Sequence, residues 1–403
     1  MITGLVSIKV VAHVVGPAGI AMVGQFLNSI SMVSLLGTGG IGQGVTKYIA
    51  EYYDEPEKQK SVIVQAVRVT AFSTLVMSLL VIVLSRPFGL YIFKNYDYTL
   101  LVFLFGLSIA FYSFNTLLIS ILNGFKSFRK FVAANIASSL FGLALSLFLV
   151  LQYGLFGALL NCVASQSVII IVTLLYVYKE PWFKTLFARM RPDWKVIKRL
   201  GGFSLMALTS AIVVPLSQIT IRSYIVKHLS IHDAGIWEGI NRFSAMFLLV
   251  ITSSLSIYYL PRLSEIRDSQ TLRHEIIKAM KIILPTLLVA CLAIYITRDI
   301  IIWLIFSPEF VPMRDLFAFQ LIGNFFKIAS FLLAFLLLAR GMTRMYIITE
   351  LLFGASLVYF SELFISKFDL SGAVMGYALN YFVYFLLLLY VFRKLLFPSI
   401  KGR

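Results

Sequence analysis

Gln320, Asn324 and Lys327 fall at i, i+4 and i+7 inside an otherwise apolar stretch. That spacing places all three on one face of a helix. Lys327 lies about 12 residues from either end of the stretch, ~18 Å from each membrane surface at 1.5 Å per residue. A lysine stem snorkels only part of that distance. Two roles fit such a cation. It lines a hydrated cavity, or it is half of a structural ion pair. Glu362, at similar depth in the next apolar stretch, is the expected partner. Both roles hold in a protein that makes and breaks the pair.

Further polar groups sit where lipid would otherwise be met. Lys9 lies ~10 Å below the Pro17 end of the first stretch and is expected to line the same cavity. Gln218 and Arg222 share a face at i, i+4, one turn beyond Pro215; Arg222 either lines the cavity or snorkels to the nearby surface. Glu238 precedes Arg242 by four residues, the favoured order for an ion pair within a helix. Glu350 is a candidate for coupling to a cation, and Gln25 with Asn28 adds a polar face at i, i+3. Charge inside a membrane is costly and usually functional. The excess here is cationic, and a cationic hollow favours an anionic solute.

The elements that position these groups follow from composition. The chain of 403 residues is 60% hydrophobic and 13% charged, against about 25% charged for a soluble domain. Successive apolar runs of roughly 20 residues each suffice for a bilayer-crossing helix, and the ~10-residue alternation of a barrel is missing. An all-α membrane protein of twelve spans is expected. Residues 1–178 would form an N-terminal six-helix lobe, 179–200 a basic cytoplasmic linker, and 201–403 a C-terminal six-helix lobe with a basic tail. Of the 35 Lys and Arg, 24 fall on one side of this arrangement and 6 on the other. The positive-inside rule then puts both termini in the cytoplasm. The net charge of +17 reads as a collar facing anionic lipid headgroups, not as a nucleic-acid surface. Cys162 and Cys291 lie in apolar runs and the four His are scattered, so no metal or other cofactor is expected. The glycine cluster from Gly37 to Gly44 lacks the Gly-Lys-Ser/Thr of a phosphate loop; close packing or a hinge explains it better.

The two lobes echo one another. Ala18-Gly19-Ile20 returns as Ala234-Gly235-Ile236, Arg129 and Phe131 as Arg344 and Tyr346, and Leu155-Phe156-Gly157-Ala158 as Leu370-Ser371-Gly372-Ala373, at offsets of 215 or 216. Six spans per repeat make the pseudo-repeat parallel, with the site expected between the lobes. The cations are not repeated: at the same offset Lys327 answers to Tyr112 and Lys9 to Tyr224. A duplicated fold with an unduplicated site suits one polar ligand bound in one orientation.

Gly16-Pro17-Ala18-Gly19, Gly44-Val45-Thr46-Lys47-Tyr48, Ser204-Leu205-Met206-Ala207, Gly235-Ile236-Trp237 and Met313-Arg314-Asp315-Leu316-Phe317-Ala318 occur in that order. In these the chain strongly resembles the Wzx-type flippases of O-antigen and enterobacterial common antigen. These belong to the multidrug/oligosaccharidyl-lipid/polysaccharide exporter superfamily. The resemblance covers the whole chain. It implies two six-helix lobes, a V-shaped central cavity with a cationic lumen, and no enzymatic step. Its implied cargo is an undecaprenyl-pyrophosphate-linked oligosaccharide of lipopolysaccharide or related polysaccharide biosynthesis. That cargo passes from the cytoplasmic to the periplasmic leaflet of the bacterial inner membrane. The first span has only 15 residues before Gly16, short of the ~20 that cross a bilayer, so a longer N-terminus is expected.

Sugars and pyrophosphate do not cross hydrocarbon unaided, since stripping unpaired charge of water costs many kcal/mol. A wet, cation-lined cleft would carry the headgroup by alternating access while the polyprenyl tail stays in lipid. Partners are then the lipid-linked oligosaccharide, membrane lipids, a coupling H⁺ or Na⁺, and polysaccharide-assembly proteins. One alternative is a multidrug/cation antiporter of the same superfamily, though cationic drugs favour deep carboxylates, and deep cations outnumber them here. The other is an integral-membrane polysaccharide polymerase, against which stand the short external loops and the lack of a catalytic constellation.

Overall fold

The computed structural model describes residues 2–396, apart from 94–95, 126, 189, 256–258, 260–261, 264–265, 267 and 341. Among the basic residues counted above, Lys94, Lys126, Arg189, Arg267, Lys401 and Arg403 lie outside the described residues. The described residues are helical, and none forms a strand. In chain order the helices are α1 (Ile2–Thr38), α2 (Gly42–Glu51), α3 (Pro56–Val83), α4 (Ser85–Phe93), α5 (Thr99–Gly124) and α6 (Phe128–Val177). A 3-10 turn, Pro181–Phe187, precedes α7 (Trp194–His228) and α8 (Ile231–Ser254). Then come α9 (Ser269–Ile296), α10 (Arg298–Ile305), a second 3-10 turn at Pro308–Leu316, α11 (Phe317–Ala339) and α12 (Thr343–Val391).

Seven of the described helices are long and apolar enough to cross a membrane, or eight if the bent pair Trp194–Gly202 and Ala207–His228 is one span. Three of these apolar stretches run to 33, 45 and 49 residues, well beyond the ~20 that one crossing needs. Each is interrupted where the backbone leaves helical space: at Gly16, at Gly154, and at Phe368 with Asp369. α1 and α2 are likewise divided, because Gly39 and Gly40 both take positive φ between them.

The duplication is written into the backbone. Gly154 (φ 55°, ψ −128°) and Asp369 (φ 50°, ψ −139°) are 215 residues apart and break their helices in the same way. The residues before these helices, Ser127 (φ −76°, ψ 56°) and Met342 (φ −77°, ψ 56°), are 215 apart as well. The second of these breaks falls on a residue that is not glycine, Asp369. That conformation is natural for glycine, and a side chain there costs on the order of 1–3 kcal/mol. Asp369→Gly is therefore expected to raise the melting temperature of the purified protein by a few degrees, at about 2–4 °C per kcal/mol. A lowered midpoint would mean that the aspartate side chain holds the turn.

The chain divides into two compact units. One comprises residues 1–15 and 22–216, the other residues 16–21 and 217–403. In the first, Ile49, Ile63, Ile121 and Leu122 are fully buried, and the connecting segment before α7 packs on the same core. Trp182 from that segment stacks on Phe125 at 5.9 Å. Gln65 donates to the Arg191 carbonyl at 3.0 Å, and Arg68 to Gln65 and to the Met190 carbonyl. Arg68 thereby pins this strap.

The second unit has its own core, with Leu263, Ile276, Leu332, Leu337 and Leu388 among its most buried members. Gly235 is needed there by close approach: a Cβ on it would lie 1.8 Å from the Pro17 carbonyl oxygen. Two helices of this unit begin with proper caps. The Ser230 hydroxyl accepts from the Asp233 amide at 2.9 Å, and the Asp268 carboxylate from Thr271 at 2.7 Å. The backbone and hydroxyl donation of Thr271 holds the Asp268 carboxyl below the usual carboxylate range. Phe72, Trp303 and Tyr359 stand exposed on their helices, as side chains facing lipid do.

Candidate functional site

Of the predicted cations, Arg222, Arg242 and Lys327 belong to the second unit, where α11 is the central element, and Lys9 belongs to the first. The apolar stretch Pro308–Leu337 is 72% buried, against 11% for Ser269–Ile296. α11 carries Gln320, Asn324 and Lys327, and it packs against α8 and α12. Asn324 is fully enclosed: its amide donates to the Ser244 hydroxyl of α8 at 2.9 Å and accepts from the Tyr377 hydroxyl of α12 at 3.0 Å. Gln320 is buried beside it on the same face, and its side-chain oxygen has no hydrogen-bond partner among the described residues. The two amides thus lie inside the helix packing. Lys327, one turn further on, reaches a half-buried position.

There the Lys327 ammonium lies 5.1 Å from the Tyr381 ring centre and 5.7 Å from that of Tyr377. Cation–π attraction of this kind holds a cation without neutralising it. The expected partner, Glu362, is half-buried and forms no ion pair with Lys327 among the described residues. Tyr377 and Tyr381, from the half of α12 beyond the Asp369 break, take its place. Neither tyrosine was singled out in the sequence. Their i, i+4 spacing is a helical-face signal, but only the tertiary packing says that the face meets Lys327.

Below α11 lies a buried charge cluster. Glu238 accepts from Arg222 of α7 through one carboxylate oxygen and from Arg242 of its own helix, at 3.0 Å, through the other. Arg222 is 2% exposed and also lies 5.6 Å from the Trp237 ring centre. Arg222 is therefore tied down inside the fold and does not snorkel. One carboxylate faces two guanidinium groups, so the cluster carries a net positive charge. Gln218, one turn before Arg222, is half-buried. Glu350 is half-buried at the start of α12.

The remaining candidates belong to the first unit. Lys9 is exposed on α1, Gln25 is buried and Asn28 half-buried. That unit also holds a feature not evident in the sequence, an open cleft of about 410 Å³ between α1, α5 and the two halves of α6, lined mainly by amides and hydroxyls with Ile119, Leu143 and Ile169 among them.

A duplicated set of long apolar helices, exposing aromatic side chains outward and burying cations inward, is the construction of a multi-pass membrane transporter. Comparison with known proteins agrees. The chain belongs to the family described as polysaccharide biosynthesis protein, which it matches over residues 1–267. It is 32% identical to the lipid III flippases of Escherichia coli (strain K12) and Shigella flexneri, over 96% of this chain and 94% of each relative. These relatives are transport proteins, not enzymes. Among solved structures it shares its fold with an inward-facing multidrug resistance MATE family transporter of the MOP superfamily, with TM-score 0.82 at 16% identity, covering 98% of this chain and 96% of the other. A MOP superfamily transporter from Pyrococcus furiosus matches with TM-score 0.66 at 14% identity, covering 98% and 94%.

Proposed function

We propose that this protein is a flippase that moves an undecaprenyl-pyrophosphate-linked oligosaccharide from the cytoplasmic to the periplasmic leaflet of the bacterial inner membrane. Twelve crossings with both termini cytoplasmic fit the broken helices and the 24-to-6 bias of basic residues. The domain limits at 178 and 200 belong to this reading. The observation that carries the function is the excess of positive charge within the helices: two guanidinium groups share one carboxylate, and Lys327 lies against Tyr377 and Tyr381 with no carboxylate partner among the described residues. A pyrophosphate is the complementary charge. The 32% identity to flippases named for lipid III supports a lipid-linked glycan as cargo. A multidrug antiporter shares the fold, but at 14–16% identity, and a cationic drug would be repelled by the same groups.

The cations stabilise the headgroup while it is out of bulk water, and they release it because no bidentate clamp is built around Lys327. Alternating access exposes the headgroup to one leaflet at a time. The inside-negative potential favours outward movement of an anion by about 2.3 kcal/mol per charge per 100 mV. The test is a proteoliposome assay with a fluorescent undecaprenyl-pyrophosphate oligosaccharide, in which a membrane-impermeant quencher reports the leaflet. Protein-dependent equilibration is the expected result. Equilibration of a cationic dye with none of the lipid would overturn the reading in favour of drug export.

A further inference from the structure

The cleft of about 410 Å³ in the first unit is lined mainly by neutral hydrogen-bonding groups. Asn135, Ser138, Ser139, Gly142 and Ser146 are spaced i, i+3, i+4, i+7 and i+11 along the first half of α6, which is one helical face. Asn161, Ser165 and Thr173 do the same on the second half, at i, i+4 and i+12. Asn115 of α5 closes one wall, and Ser7 of α1, hydrogen-bonded to Ser146 at 3.0 Å, closes another. Among the described residues, no Asp, Glu, Lys, Arg or His lines it.

A helix bundle normally fills such space with side chains, at close-packed density. The second unit does so at particular positions. At the 215-residue offset, Ser138 corresponds to Phe353 and Gly142 to Leu357. Both are buried, and Phe353 packs on Tyr384 at 4.5 Å. Other lining positions are small or polar in both copies, Ser146 answering to Ser361 and Asn161 to Gly376. The space in the first copy therefore depends on Ser138 and Gly142 standing where the second copy has large apolar side chains. Two of the lining residues also carry unpaired groups: the side-chain oxygens of Asn115 and Asn161 are turned away from solvent and have no partner among the described residues. Orphaned buried acceptors cost about 1–3 kcal/mol each unless something donates to them.

We propose that this hollow is a binding site for an uncharged, hydroxyl-rich ligand, namely a sugar residue of the transported glycan. The lining offers both donors and acceptors at helical spacing, as a ring of hydroxyl groups requires, and among the described residues it brings no charge to bind an ion. Its volume lies within the roughly 300–1,000 Å³ of small-molecule pockets. The source of the sugar rests on the flippase reading above. The division of labour is then chemical: cations in the second unit for the pyrophosphate, neutral amides and hydroxyls in the first for the glycan.

Gly142 gives a clean test, because a Cβ on it meets nothing within 4 Å. Gly142→Leu introduces the residue that the second copy carries at the equivalent place, and leucine favours a helix over glycine by close to 1 kcal/mol. The first readout is saturation-transfer NMR on the purified full chain, with methyl N-acetyl-β-glucosaminide and methyl β-glucoside as probes. Transfer to at least one probe is expected, falling at least fivefold in Gly142→Leu. Gly201→Leu, at another glycine with open space beside it, should keep the signal. No transfer to either probe, or equal transfer in Gly142→Leu, overturns the proposal, since a hollow that holds only water gives that result. The second readout is the proteoliposome assay, where Gly142→Leu is expected to cut translocation tenfold with no loss in melting temperature. Full translocation by this variant would overturn the proposal and leave the flippase reading standing. If the probes bind while the unaltered protein moves no lipid-linked glycan, the flippase reading fails and the sugar site remains.

Discussion

Replacing Lys327 with methionine is expected to cut translocation of the lipid-linked oligosaccharide between tenfold and a hundredfold. Methionine keeps the length of the stem that lies beside Tyr377 and Tyr381 and removes only the charge. A hydrogen bond to a charged group is worth about 1.5–3 kcal/mol, and each 1.4 kcal/mol is a factor of ten. Lys327→Arg retains the cation and should keep much of the activity. The melting temperature of both variants should stay near that of the unaltered protein, because Lys327 has no carboxylate partner to strand among the described residues. Full activity in Lys327→Met, at normal protein level, would remove this cation from the cargo path. The tyrosines make a second arm. Tyr381→Leu loosens the ammonium without touching the Asn324 bonds, whereas Tyr377→Phe removes the hydroxyl that donates to Asn324 at 3.0 Å. A larger stability loss is therefore expected for Tyr377→Phe than for Lys327→Met.

Glu238→Ala should be among the most destabilising single changes in the second unit. It strands Arg222, 2% exposed, without its counter-charge. Breaking a buried pair from one side costs about 3–5 kcal/mol. Arg242 is partly exposed and contributes less, since water screens it. Thermal unfolding in detergent, or the yield of monodisperse protein, reads this directly. The double change Arg222→Met with Glu238→Leu removes both charges and should recover much of the loss, because an apolar pair of similar volume often replaces a buried ion pair at little cost. Should Glu238→Ala melt within a degree of the unaltered protein, the cluster contributes no structural stability. Glu238 and Arg242 would then be free to act on the cargo or on a coupling ion.

Much of the helical plan is legible in the residues. Apolar runs broken by Gly16-Pro17, by Gly39-Gly40 and by Gly154 mark where helices must end, because glycine alone takes positive φ without strain. The break at Asp369 was harder to see, since its residue type disguises a glycine conformation. Only its counterpart at Gly154, 215 residues earlier, exposes it. The ion pair of Glu238 with Arg242 follows from i, i+4 spacing within one helix. Its third member, Arg222, comes from another helix, and no local rule could join the two.

By itself, then, the sequence determined the membrane class, the internal repeat, the helix breaks marked by glycine and the surplus of positive charge in apolar segments. These depend on hydropathy and backbone conformation, which act over a few residues at a time. Tertiary structure alone decided which groups meet. It placed tyrosines rather than Glu362 against Lys327, sealed Asn324 between Ser244 and Tyr377, and left a neutral hollow where the other copy packs phenylalanine and leucine. The reason is that a helical face is readable from spacing, while the partner of that face is set by packing among helices distant in the chain.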